Sequence, residues 1–257
     1  MFPTPIEKTS SVTRSAYRIA LPLSLIIWLV PLLGVMLTAT RGPGDITAGN
    51  LWGLPTQWMF FANMRDVFGN TPMLDFIINS FKITVPTMIG AVALSCMTGF
   101  ALAAYQFRGN VILFFIFVAG NFIPFQILMI PVRDLTFQIG LYDTVTGLVM
   151  FHVAFQTGFC TLFMRNFIRA LPHELFEAAR IDGASEFTIF WKLVLPLTRP
   201  AIAALCVLIF TFIWNDYFWA TVLTQAESSK PITAGLNALN GQYVANWQLV
   251  SAAAILA

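Results

Sequence analysis

Charge is what this chain has least of. Lys, Arg, Asp and Glu make up 10% of its 257 residues while 58% are hydrophobic, whereas an ordinary soluble domain is roughly a quarter charged and about half apolar. That balance excludes an ordinary water-soluble domain. Cysteine is also sparse: Cys96, Cys160 and Cys206 are the three present, each inside an apolar run. A disulfide framework or a zinc cluster needs grouped or loop-placed cysteines, so these read as small packing residues. Histidine occurs twice. The stretch His173-Glu174-Leu175-Phe176-Glu177 opens like a zinc-protease HExxH helix but ends in glutamate, and His152 lies in an apolar run, so no metal site is expected. There is no Gly-rich phosphate loop ending in Lys and Ser or Thr, so the chain is not expected to hydrolyse ATP itself. Nor do His, Cys and carboxylates cluster inside an apolar run, which argues against a membrane-embedded enzyme. A net charge of +2 gives no basic footprint for nucleic acid.

Long apolar runs are what the chain has instead. A bilayer core needs about 20 consecutive apolar residues per helix, and charge-free runs of that size cover residues 19–40, 83–107, 109–132 and 144–164. Residues 201–225 form a fifth, interrupted only by Asp216. A sixth begins near Trp247 and stops at Ala257, a rise of about 16 Å at 1.5 Å per residue. Lipid offers the backbone no hydrogen-bond partners, so such runs must be helices. The expected fold is an all-α membrane protein, a bundle of six transmembrane helices with the sixth cut short. Residues 1–18 form a tail and 19–257 the membrane domain. The first run is longer than the 7 to 15 apolar residues of a secretory signal, so it is read as a retained span.

Orientation follows from the basic residues. An N-terminus on the cytoplasmic side places Lys8, Arg14, Arg18, Arg108, Arg165, Arg169, Arg180, Lys192 and Arg199 inside and Arg41, Arg65, Arg133 and Lys230 outside, with Lys82 at a boundary. The positive-inside rule favours that multi-pass topology. Acidic Glu174, Glu177, Asp182 and Glu186 are interspersed with the inner basic residues, so this is not a simple polybasic lipid patch.

Residues 41–81 read as an external segment, amphipathic near residues 58–68 and suited to lying at the membrane surface. In the second span Gly90, Ala91, Ala93, Ser95 and Gly99 would let helices approach closely. Asn121, Pro124, Gln126 and Pro131 interrupt the third, where proline bends a helix and can mark a hinge or cavity wall. Gln126 is a candidate for the translocation path, with an interhelical hydrogen bond as the other reading. Asp216 lies 16 residues beyond Pro200, about 24 Å along a helix, toward the outer end of its span. Asn215 and Asp216 fit either a helix-end role or a place on the solute path.

Residues 177–200 read EAARIDGASEFTIFWKLVLPLTRP. Leu171-Pro172 precedes a short helix over about residues 172–182, and Gly183 ends it. A second helix rises through Phe187, Phe190 and Leu193 to Pro196. The intervals from Glu177-Ala178-Ala179 through Gly183 and Leu193 to Leu195-Pro196 resemble the EAA signature of the permease subunits of bacterial ABC importers. The longer EAARIDGAS run, the preceding Leu171-Pro172 and WNDYFW at residues 214–219 look like the maltose-type carbohydrate permeases.

That resemblance implies a cytoplasmic coupling loop at residues 165–199 whose short helix docks into a separate ATP-binding subunit. Glu177 would be the ionic anchor, Ala178 and Ala179 the close-packed contacts, and Asp182 and Gly183 the turn. It implies two ATP-binding subunits holding ATP and Mg, a different second permease as partner, and no cofactor on this chain. It also implies a periplasmic or lipid-anchored binding protein. Within the external loop at residues 224–248, Gly235, Asn237, Asn240, Gly241, Gln242 and Tyr243 would meet that protein. The cargo implied is a sugar or sugar derivative, with glycerol 3-phosphate or another polar solute as the alternative. A secondary transporter is the alternative of a different class, and Asp216 is its one candidate coupling charge.

Overall fold

The computed structural model describes residues 10–50, 53–239 and 246–257, and they are helical with no strand among them. The chain divides into two compact units, one from residues 1–71 with 238–257 and the other from residues 72–237.

In the first unit, α1 (Ser11–Ala39) is a continuous apolar helix through Pro22 and Pro31. It is long and apolar enough to cross a membrane, and none of its most apolar window is buried. A small cap follows, built from α2 (Pro43–Thr47) and α3 (Phe60–Asn70). Asn63 Nδ2 donates to the carbonyls of Ala39 at 2.9 Å and Arg41 at 2.8 Å, tying α3 to the end of α1. The buried Arg41 guanidinium donates to the carbonyls of Asn50 and Gly53. Asp45 is held below the usual carboxylate range, chiefly by the backbone N–H of Thr56, against the opposing effect of burial. The segment expected to lie outside the second span is therefore a hydrogen-bonded cap around one helix, α3, which falls on the amphipathic stretch.

The second unit packs around α4 (Met73–Ala104), α7 (Val145–Arg169) and α9 (Glu186–Trp214), each long and apolar enough to span. Small residues set the α4–α7 approach, as expected: a methyl group at Gly99 would stand 3.0 Å from the Arg165 amide nitrogen, and one at Gly90 3.0 Å from Val153. The hydroxyls of Thr98 and Thr161 meet across the same seam at 2.7 Å. Ile83, Val92, Leu148, Met164, Leu205 and Ile209 fill the core between these helices.

The second span begins at Met73, ten residues before the run that announced it, because Asp75 and Lys82 interrupt the apolar pattern without breaking the helix. The third region is broken. α5 (Asn110–Gly120) and the segment Phe125–Gln138, which contains a 3-10 turn and α6 (Met129–Gln138), are bent by 87°. Pro124 drives the residue before it out of the helical region, whereas Pro131 sits in the first turn of α6 and removes no helical hydrogen bond.

The fifth span also differs from expectation. It starts at Glu186, passes both Pro196 and Pro200, and stops at Trp214. A π turn at Phe190–Val194 precedes Pro196, and a widened turn accommodates the missing N–H without ending the helix. Beyond Asn215-Asp216-Tyr217 a separate α10 (Phe218–Leu223) begins, followed by α11 (Ile232–Ala238). Among the described residues four helices are long and apolar enough to span, five if the bent pair counts as one. α12 (Trp247–Ala254) is not among them; it packs on α1 and α3.

Candidate functional site

Two groups of residues stand at opposite ends of α7 and α9. At the first, α8 (His173–Ile181) links the end of α7 to the start of α9. Its amphipathic pattern buries Phe176, which stacks on Phe100 of α4 at 6.4 Å between ring centroids. The opposite face is open: Leu175, Glu177, Ala178, Ile181 and Asp182 are exposed. Glu177 Oε1 lies 3.5 Å from His173 Nδ1, with both side chains 65% exposed, a solvated pair of small energetic consequence.

Gly183 has φ of 79°, a conformation that costs glycine little. Its N–H donates to the Arg180 carbonyl and that of Ala184 to the Ala179 carbonyl, both at 3.0 Å. Those two bonds close α8 with a Schellman motif. Ser185 then caps α9, its hydroxyl accepting from the Thr188 N–H at 3.2 Å. Arg180 Nε donates to Glu186 Oε1 and the Tyr105 hydroxyl to Glu186 Oε2, both at 2.7 Å. The Glu186 bond raises the Arg180 pKa further. Burial first, and Glu186 second, push Tyr105 up to about 12. The helix is thus fastened at its turn and open along its outer face.

The second group lies 17 residues back along α7 from Arg169, about 26 Å at 1.5 Å per residue. Asp216, just past α9, accepts from the backbone N–H groups of Trp219 at 3.3 Å and Ala220 at 2.9 Å and so starts α10. Its own carbonyl accepts from the Thr233 hydroxyl at 2.6 Å, fixing α11. Its Oδ2 lies 3.3 Å from Nε2 of the buried His152. Beside the pair is a cavity of about 410 Å³, lined by the polar groups of His152, Gln156, Asn215, Asp216 and Tyr217 and walled by phenylalanines and Trp219. Gln156 Nε2 and His152 Nδ1 are buried with no hydrogen-bond partner among the described residues. A buried donor left unmet costs about 1 to 3 kcal/mol.

The connection after α10 is pinned from two sides. The Asp143 carboxylate accepts from the N–H groups of Gln225 at 2.7 Å and Ala226 at 3.0 Å and from the Ser229 hydroxyl. Burial alone would raise the Asp143 pKa, but these donors outweigh it and hold the group below the usual carboxylate range. Asn79 Nδ2 donates to the carbonyls of Ser228 and Lys230, and Ser80 Oγ accepts from the Ile232 N–H at 2.8 Å.

The binding-protein-dependent transport system inner membrane components match residues 91–257, nearly two thirds of the chain and both ends just described. The chain belongs to this family. It is therefore a membrane permease component of an importer and not the ATPase. The permease is 33% identical over 256 residues to the osmoprotective compounds uptake permease of Synechocystis sp., covering 97% of this chain and 86% of that one. It is 29% identical over 218 residues to the diacetylchitobiose uptake system permease of Streptomyces coelicolor, covering 83% and 72%. In fold it is similar to a chain in the crystal structure of a bacterial ABC transporter involved in import of the acidic polysaccharide alginate. The TM-score is 0.82 at 24% identity, covering 98% of this permease and 94% of that chain.

Glu177, Ala178 and Asp182 of the permease stand together on the open side of α8, Ala179 is half-buried, and Gly183 makes the turn. Asn215 and Asp216 both line the cavity, and Asp216 also starts a helix. Gln126 is exposed on the 3-10 turn and makes no interhelical hydrogen bond among the described residues; its neighbour Phe125 lines the cavity. Gly235 is buried, and a methyl group there would come within 2.1 Å of the Phe76 ring, so its place is set by packing. Asn237 is exposed, while Asn240, Gly241, Gln242 and Tyr243 lie outside the described residues.

His152 and Gln156 were missed as members of the cavity. Their spacing of four on an apolar helix puts both on one face, the one signal that would have found them. Glu186 stands in the sequence as one of several acidic residues among the inner basic ones; its tie to Arg180 is local across the turn, but its tie to Tyr105 is a long-range contact that the chain order does not display.

Proposed function

We propose that this permease is one of two membrane subunits, paired with a different permease, in an ATP-driven importer of a sugar or sugar derivative. Its N-terminus faces the cytoplasm, where two separate ATP-binding subunits, holding ATP and Mg, grip α8. The observation that carries the reading is the form of α8: a helix fastened by its Schellman turn and by Glu186, presenting Glu177 and Ala178 outward with nothing among the described residues covering them. A rigid, exposed lever suits transmission of force from another subunit. Closure of the ATP-binding pair would move α8, and the bundle would rock about a solute path bordered by Asn215 and Asp216.

The sugar assignment draws support from the diacetylchitobiose relative and from the amide and aromatic lining of the cavity. Delivery would come from a periplasmic or lipid-anchored binding protein, met by Asn237 and the residues that follow it to Tyr243. The test is Glu177→Lys in the reconstituted importer, with ATP hydrolysis and uptake measured together. Breaking a desolvated interfacial ion pair costs about 2 to 5 kcal/mol, so uptake should fall at least 30-fold and cease to track hydrolysis, while Glu174→Lys has a small effect. Wild-type uptake in Glu177→Lys would refute the docking role.

A further inference from the structure

Gln156 and His152 lie one helical turn apart on α7 and both line the cavity beside Asp216. Their side chains are 6% and 1% exposed, and each keeps a polar atom without a hydrogen-bond partner among the described residues. Buried polar atoms in folded proteins are nearly all satisfied. Both residues line one wall of an open cavity, and a ligand held there would supply the missing partners once the side chains turn toward it.

The chemistry of that ligand can be read from the rest of the lining. No lysine or arginine lines the cavity, and Asp216 is its carboxylate. A ligand carrying a carboxylate or phosphate would meet that group with no guanidinium or ammonium to balance it. A hydroxyl suits the site, since it can donate to Asp216 and accept from Gln156 Nε2 at once. The remaining walls, Phe125, Phe155, Phe218 and the half-exposed Tyr217, are flat and apolar, the setting in which a few placed polar groups give small-molecule sites their specificity. The volume of about 410 Å³ is within the range of roughly 300 to 1,000 Å³ for such sites.

We propose that this cavity binds an uncharged saccharide, with Gln156 and Asp216 taking its hydroxyls and Tyr217 packing on its C–H face, and that it discriminates against uronates and sugar phosphates. The proposal rests on the sugar-importer reading above and narrows it to one charge class.

The complete importer, with its ATP-binding subunits, second permease and binding protein, is reconstituted in liposomes and offered radiolabelled uncharged di- and trisaccharides alongside their uronic-acid counterparts. An uncharged member is expected to enter and its acid counterpart not. Gln156→Leu is expected to lower that uptake about tenfold, the worth of one hydrogen bond, with assembly followed by co-purification of the ATP-binding subunits. Should Gln156→Leu fail to assemble, Tyr217→Ala, at a side chain 49% exposed, carries the same expected loss. Uptake of the acid forms at a comparable rate, or uncharged uptake unchanged in the assembled variant, overturns the cavity proposal and leaves the importer reading standing. Uptake of no saccharide of either kind overturns both.

Discussion

The α8 end of the bundle and the Asp216 end treat charge in opposite ways. At α8, Glu177 and Asp182 are in solvent and Arg180, Glu186 and Tyr105 satisfy one another. At Asp216, the carboxylate is used by backbone N–H groups while His152 and Gln156 keep unmet polar atoms under an aromatic wall. A surface that docks another protein can be fully satisfied beforehand, because contact adds to what is there. A site for a small solute must hold back some hydrogen-bonding capacity, because the solute completes it. The two ends therefore predict different responses to the removal of a single group.

The largest expected effect is at the exposed face of α8, the proposed docking surface. Glu177→Lys reverses a charge that folding does not use, so uptake should collapse while the purified permease keeps the melting temperature of the unaltered protein. A large drop in melting temperature would mean that α8 is structural and the contrast false. Next is Asp216→Ala, which removes the acceptor that starts α10. Loss of a helix-capping side chain costs about 0.5 to 2 kcal/mol, and His152 loses its neighbour as well. Here stability and uptake should fall together, measured as melting temperature in detergent and as transport in liposomes.

A smaller effect belongs to Glu186→Gln. Arg180 and Glu186 are 34% and 43% exposed, so solvent screens the pair and the loss should be about 1 kcal/mol or less. The amide still accepts from Tyr105. Uptake should decline severalfold because α8 is held less firmly, and amide exchange should quicken in α8 while α4 and α7 are unchanged.

These two ends were unequally legible in the sequence. The turn after α8 was readable because glycine at 183 and Ser185 are local signals, each acting within a few residues. The long apolar runs gave the spans for the same reason: periodicity and length are local. What failed was everything decided by tertiary contact. The start of α4 at Met73 was hidden by Asp75 and Lys82, and α9 runs through two prolines because a π turn absorbs the first. The cavity joins residues from α7 to residues beyond α9, and its key amide, Gln156, looked like any glutamine in an apolar helix. Composition does not distinguish a glycine needed for close packing, as Gly235 is against Phe76, from one at a free surface.

The finest test concerns the connection after α10, pinned through Asp143. Its folded-state pKa is depressed, so its contribution is fully present above the unfolded carboxylate value of about 3.9. That contribution is lost as pH falls from there through the folded value. Asp143→Asn keeps one acceptor oxygen and removes the charge that draws the Gln225 and Ala226 N–H groups. At pH 7 these two amides should therefore be less protected from hydrogen exchange in the variant, after correction for intrinsic rates. As pH falls below the folded value, the difference between the two proteins should close from the wild-type side. A difference that persists undiminished at low pH would show that shape, and not charge, holds this connection, which would then owe its order to packing as α4 and α7 do.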